Sequence, residues 1–121
     1  MLTENDIADI SQKIVDVCAP LAVGTFGSYA VGRPHERSDL DVFVINDPTH
    51  GSTSKAHSVR AALLGVIHPM DIIVFTAAEF EESVYKYLSF TWVIAKQARL
   101  YHWTDEAKRL VPSLLPRVFG S

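Results

Sequence analysis

The sequence predicts an α/β (α+β) domain with a small mixed sheet of three to four strands and flanking helices. Three observations carry that prediction. Apolar runs of strand length stand at 21–26, 40–45 and 70–75. The stretches before and between them place apolar residues at helical spacing. A length of 121 residues supplies one hydrophobic core but not two. The whole of 1–121 therefore reads as a single domain, with its core at about 5–103 and a C-terminal helix and tail at 104–121.

The first helix is expected over 4–18, capped by Thr3 with Asp6 closing a capping box. Ile7, Ile10, Ile14 and Val17 form its inward stripe, Cys18 is expected to be buried, and Pro20 ends it. A strand over 21–26 follows. The strand over 40–45 is apolar on both faces, with Leu40, Val42 and Val44 on one side and Phe43 and Ile45 on the other, which predicts a central position. Residues 46–52 form a turn-rich loop. A second long helix is expected over 54–67, with Val59, Leu63, Val66 and Ile67 facing inward, until His68-Pro69 breaks it. The run 70–75 reads as a buried third strand. Thr76 and Glu79 make a capping box for the next helix, whose stripe runs through Phe80, Val84, Leu88, Trp92 and Ala95 with a break near Ser89. Residues 99–101 suggest a short edge strand, and 104–111 a helix with acids first and bases last, as the helix dipole favours.

Composition narrows the function. Hydrophobic residues make up 48% and charged residues 21%, as in ordinary globular domains. The net charge is −3 and the basic residues are scattered, which argues against binding long nucleic acid. One cysteine excludes an intramolecular disulfide and a cysteine-based zinc site. The acidic start lacks the basic region of a signal peptide, and no apolar run is long enough to span a membrane, so a cytoplasmic location is expected. The five histidines (His35, His50, His57, His68 and His102) show no metal-ligand spacing and are expected in solvent, with His35 in the loop between the Gly-Ser turn and the aspartates.

The chemistry concentrates between 21 and 45. A short strand runs into Gly27-Ser28; ten residues later, Asp39-Leu40-Asp41 opens the next strand. Alternation points Asp39 and Asp41 the same way, about 7 Å apart, an arrangement that calls for a cation. Asp71 lies in an apolar run, where an unpaired carboxylate is costly. Beside the first two it completes a three-carboxylate cluster suited to Mg²⁺ or Mn²⁺ held against a nucleoside triphosphate. Glycine at 27 lets the backbone approach a phosphate, Ser28 adds a hydroxyl and free N–H groups, and Gly32 ends the turn before Pro34. Each element alone is commonplace; their order and spacing together are not. An Asp-x-Asp start also belongs to haloacid-dehalogenase-type phosphatases, but there the apolar strand precedes the first aspartate, whereas here it follows.

With Phe26-Gly27-Ser28, Gly32, Ser38-Asp39-Leu40-Asp41 and Asp71 before Ile72-Ile73-Val74, the chain resembles a minimal nucleotidyltransferase of the DNA polymerase β superfamily over about residues 5–101. The resemblance implies the palm-like nucleotidyltransferase fold. It also implies transfer of a nucleoside monophosphate, AMP from ATP or another triphosphate, to an acceptor hydroxyl. On that analogy Asp39 and Asp41 bind two metal ions, Asp71 binds the catalytic one and helps activate the acceptor, and Gly27, Ser28 and Gly32 bind the nucleotide. One position departs: the residue after the serine, often arginine in the family, is Tyr29, which removes a cation from the phosphate side.

The same resemblance extends to antitoxins of two-gene systems, whose partner is an all-helical HEPN-like protein neutralised by binding or by adenylylation. A pure binding module would have no reason to bury Asp71. A small-molecule adenylyltransferase of the antibiotic-modifying kind is the other alternative, though such relatives usually carry an added helical domain. The aromatic-rich C-terminal part (Trp92, Tyr101, Trp103, Leu114, Leu115 and Phe119) predicts a docking surface for that partner or for a second copy in a homo-oligomer.

Overall fold

The computed structural model describes residues 2–46, 52–86 and 89–114. Its elements are α1 (Glu4–Cys18), β1 (Ala22–Phe26), α2 (Gly27–Ala30), β2 (Leu40–Asn46), α3 (Ser52–Ala62), β3 (Met70–Thr76), α4 (Ala77–Val84), α5 (Phe90–Gln97), β4 (Arg99–Trp103) and α6 (Asp105–Leu110), followed by a 3₁₀ turn at Pro112–Leu114. The strands form one mixed four-stranded sheet in the order β3-β2-β1-β4. β1 pairs antiparallel with β2 and β4, while β2 and β3 run parallel. A parallel pair needs a crossover, and α3 supplies it.

Local signals set the helix starts. Thr3 accepts from the Asp6 N–H at 3.1 Å while Asp6 accepts from the Thr3 N–H at 2.8 Å. Thr76 and Glu79 make the same reciprocal pair at the start of α4. Ser89 caps α5 through the Trp92 N–H, so the stripe expected from Phe80 to Ala95 is two helices broken at Ser89. Thr104 caps α6.

The sheet separates two cores. On one side α1 and α3 bring Ile7, Ile10, Ile14, Val59 and Leu63 against Val23, Leu40, Val42 and Val44. On the other, α4, α5 and α6 bring Phe80, Val84, Ile94, Ala107 and Val111 against Phe26, Phe43 and Ile45. β2 is central, as its two-faced apolar pattern predicts. Where β1 crosses, Gly24 admits no side chain: a Cβ there would meet the Arg99 carbonyl and the Phe43 ring at 2.7 Å.

Several expectations are corrected. The α1 stripe ends on buried Cys18, and Val17 is 55% exposed. α3 stops at Ala62 rather than 67, because Gly65 turns the chain with φ +95°, and Ile67 is 98% exposed instead of inward. β3 is not a buried strand but a sheet edge, half-buried along its length. His68 is half-buried, within hydrogen-bonding distance of the Ser38 carbonyl. Leu114 is core rather than docking surface. Leu88, His50, Leu115, Phe119 and most of the 46–52 loop lie outside the described residues.

Across one end of the sheet's β4 edge, Glu4 accepts from the Tyr101 hydroxyl at 2.9 Å and pairs with Arg99 at 2.7 Å. Burial, then the hydrogen bond to Glu4, pushes the Tyr101 phenol up to about 12.

Candidate active site

β1 ends at Phe26 and the chain turns at once. Gly27 takes a left-handed φ of +71°, which glycine adopts without the clash a side chain brings. Space demands glycine as well: a Cβ at Gly27 would lie 2.3 Å from Asp41 Oδ2. The turn is thus pressed onto the first aspartate of β2, which pairs with Phe26 in the β1–β2 ladder. Ser28 follows within the single turn of α2, and its hydroxyl has no hydrogen-bond partner among the described residues. Gly32, with φ +77°, closes this turn as expected, and the Arg33 N–H donates to the Ser28 carbonyl at 2.9 Å.

The parallel β2–β3 ladder places Asp41 directly opposite Asp71. Both carboxyls line an open cleft of about 310 Å³ together with Phe26, Arg60, Met70, Ile72 and Ile73. Asp41 is half-buried and Asp71 exposed. Burial first, then the charge of Asp71, then that of Asp39, and last a hydrogen bond with Asp71, raise the Asp41 pKa above its ordinary 3.8.

Asp39 comes from just before β2, exposed and outside the ladder, so no strand pairing fixes its position. Among the described residues no group of three or more histidine, cysteine, aspartate or glutamate side chains is arranged to hold a metal ion. Of the three expected carboxylates, the strand pairing brings Asp41 and Asp71 opposite one another, and Asp39 acts on Asp41 as a neighbouring charge.

A hard divalent cation fits this pair. Mg²⁺ takes oxygen ligands and is commonly held by one or two carboxylates, with water and phosphate oxygens completing the octahedron. A half-buried Asp41 carboxyl whose pKa is raised by burial and by the charge of Asp71, which stands opposite it in the ladder, has that chemistry. Asp41 and Asp71 would hold the ion and Asp39 would add charge.

Tyr29 explains the departure at its position. It is 7% exposed, its hydroxyl accepts from the Leu2 N–H at 3.1 Å, and its ring meets His68 edge-on with centroids 6.1 Å apart. The side chain ties the turn to the N-terminal segment and its ring lies in the core. His35 is occupied within its own loop, its N–H donating to Ser38 Oγ and its Nδ1 accepting from the Arg37 N–H.

Two cleft residues have no motif to betray them in the sequence. Arg60 comes from the exposed face of α3, where it reads as one more surface cation. Gln97, at the end of α5, accepts from the Gly27 N–H at 3.0 Å across 70 residues of sequence.

The sequence profile of the nucleotidyltransferase domain matches residues 6–101. The chain belongs to the nucleotidyltransferase domain family. No curated protein sequence matches it. Among solved structures, a mutant of the toxin–antitoxin complex MntA–HpeT shares the fold at a TM-score of 0.56 and 14% identity, covering 95% of this chain and 86% of its own. A toxin–antitoxin structure with AMP-PNP superposes at 0.59 and 14% identity, covering 90% and 84%. A protein from Sulfolobus solfataricus, described as a proposed nucleotidyltransferase, gives 0.55 and 21% identity over 83% and 78%. At these identities the likeness is one of fold. No helix among the described residues is long and apolar enough to cross a membrane.

Proposed function

We propose that this nucleotidyltransferase domain is an active, metal-dependent enzyme that moves a nucleoside monophosphate, AMP from ATP, to a hydroxyl on a partner protein. The observation that carries the reading is the juxtaposition of Gly27, Asp41 and Asp71. A left-handed glycine pressed against Asp41, a half-buried carboxylate and an exposed carboxylate stand side by side on three adjacent chain segments. The Ser28 hydroxyl and the N–H groups of the turn face the β- and γ-phosphates. Bound Mg²⁺ or Mn²⁺ supplies neutralisation of the phosphate charge.

The chain's own work is positioning and proton handling. Asp71 is exposed at the sheet edge, on the side of Asp41 away from the turn, so the acceptor reaches it from solvent. It takes the acceptor's proton as the acceptor oxygen bonds to the α-phosphorus. The bond from the α-phosphorus to the bridging oxygen breaks, and pyrophosphate leaves toward the Gly-Ser turn. Attack and departure on opposite sides of Asp41 satisfy an in-line geometry. Gly32 serves by ending the turn.

The open cleft and the exposed apolar side chains Leu64 (83%), Ile67 (98%) and Trp103 (45%) favour a large acceptor that brings its own surface. A HEPN-like partner is the proposed one, consistent with the fold shared with toxin–antitoxin structures. Incubating the chain with Mg²⁺, ATP labelled at the α-phosphate and extract of its source cells tests this: a labelled protein is expected. Label appearing only in small molecules, with the chain monomeric by light scattering, identifies a small-molecule adenylyltransferase instead. No label, with tight binding to a HEPN-like partner, identifies a binding module.

A further inference from the structure

We infer that Gln97 is a positioning residue that locks Gly27 in its phosphate-accepting shape and thereby sets the turn against Asp41. The inference rests on the proposed phosphate role of the turn. β1 and β4 pair antiparallel, with Thr25 opposite Arg99. Continued in that register, Phe26 falls opposite Ala98 and Gly27 opposite Gln97. The ladder does not reach that far: β4 begins at Arg99 and Gln97 is the last residue of α5. The Gln97 side-chain carbonyl stands in for the missing strand carbonyl, accepting the Gly27 N–H at 3.0 Å.

Three constraints then meet on one residue. The backbone of Gly27 is left-handed at φ +71°, Asp41 Oδ2 fills the place of its Cβ, and Gln97 holds its amide. With the Gly27 donor satisfied, the amides and hydroxyl that follow it remain for a phosphate. Gln97 itself is fixed from behind: α5 is capped by Ser89 at its start, and at its end the Ala98 N–H donates to the Ile94 carbonyl at 2.7 Å. Without the Gln97 acceptor, Gly27 keeps only the contact with Asp41, and a glycine so freed samples many backbone states.

Gln97→Met keeps the side-chain length and removes the acceptor; Gln97→Leu is a second acceptor-free variant, and Gln97→Glu restores an acceptor. Amide hydrogen exchange at Gly27 and calorimetry with Mg²⁺ and a non-hydrolysable ATP analogue are the readouts. In the Met and Leu variants, exchange at Gly27 is expected to quicken and analogue affinity to fall, each about tenfold, as for the loss of one hydrogen bond of about 1.4 kcal/mol. In Gln97→Glu the Gly27 amide stays protected. Unchanged affinity in a Met or Leu variant whose Gly27 amide has opened overturns the inference and leaves the proposed function standing. Equal exchange in the Met, Leu and Glu variants also overturns it. A wild-type chain that binds no analogue overturns both.

Discussion

β2 and β3 are close to a repeat of one another. Leu-Asp-Val-Phe-Val-Ile-Asn lies in parallel register beside Met-Asp-Ile-Ile-Val-Phe-Thr, with Asp41 opposite Asp71 and Val44 opposite Val74. Yet β2 is buried almost throughout, and β3 is half-buried with Asp71 exposed. The difference comes from neighbours, not composition. β2 has a strand on each side and a core on each face, whereas β3 has one strand beside it at the sheet edge. One pattern thus gives two environments: the inner aspartate is half-buried against the Gly-Ser turn, and the outer one is exposed at the sheet edge.

Removing either aspartate tests whether the two strands make one site. Asp41→Asn and Asp71→Asn are each expected to cut nucleotidyl transfer at least about a thousandfold, the loss of roughly 4 kcal/mol of transition-state stabilisation, measured with α-labelled ATP. Transfer surviving in Asp71→Asn would separate the strands functionally.

The matched valines isolate burial from chemistry. Val44 is fully buried and Val74 is not. Val44→Ala is expected to cost about 2–3 kcal/mol and Val74→Ala about 1 kcal/mol, read from urea unfolding midpoints at constant m-value. Equal costs would mean that the β3 edge is covered.

The smallest expected effect concerns protons. Asp41 has its pKa raised by burial and by Asp71 and Asp39, so the folded chain binds its proton more tightly than the unfolded chain does. This group's contribution to stability is therefore complete below pH 3.8 and declines as pH rises from there through the raised folded value. Asp41→Asn removes that dependence, and at neutral pH without metal it is expected to raise the melting midpoint slightly. A lower midpoint would show that the ionised carboxylate is held by a cation of the protein.

Much of this was legible in the sequence for physical reasons. Capping residues announce themselves locally: Thr3 and Thr76 begin helices where the pattern puts them, and the break expected near Ser89 is there, with Ser89 as the cap of the next helix. Two-faced apolar alternation marks β2 as central. The Gly27-Ser28 turn and Asp41 are brought together by a hairpin-like antiparallel pair, which short-range spacing can suggest. Edge position is not local: Met70–Thr76 is as apolar as a core strand, and only the strand order makes it an edge. Ile67 reads as inward only when helical spacing is carried past Ala62, where α3 ends ahead of the left-handed turn at Gly65. Tyr29 could not be assigned to the core without the N-terminal segment that its hydroxyl ties down. Gln97 and Arg60 reach the site through tertiary contacts that no spacing rule encodes.

The proposed function requires Asp41 and Asp71 to form a single cation site across the β2–β3 ladder. Mn²⁺ titration, followed by electron paramagnetic resonance at neutral pH, tests it directly. The wild-type chain is expected to bind Mn²⁺, Asp41→Asn and Asp71→Asn to lose that binding, and Asp39→Asn to weaken it only in part. Mn²⁺ affinity in Asp71→Asn equal to that of the wild type would contradict a shared site.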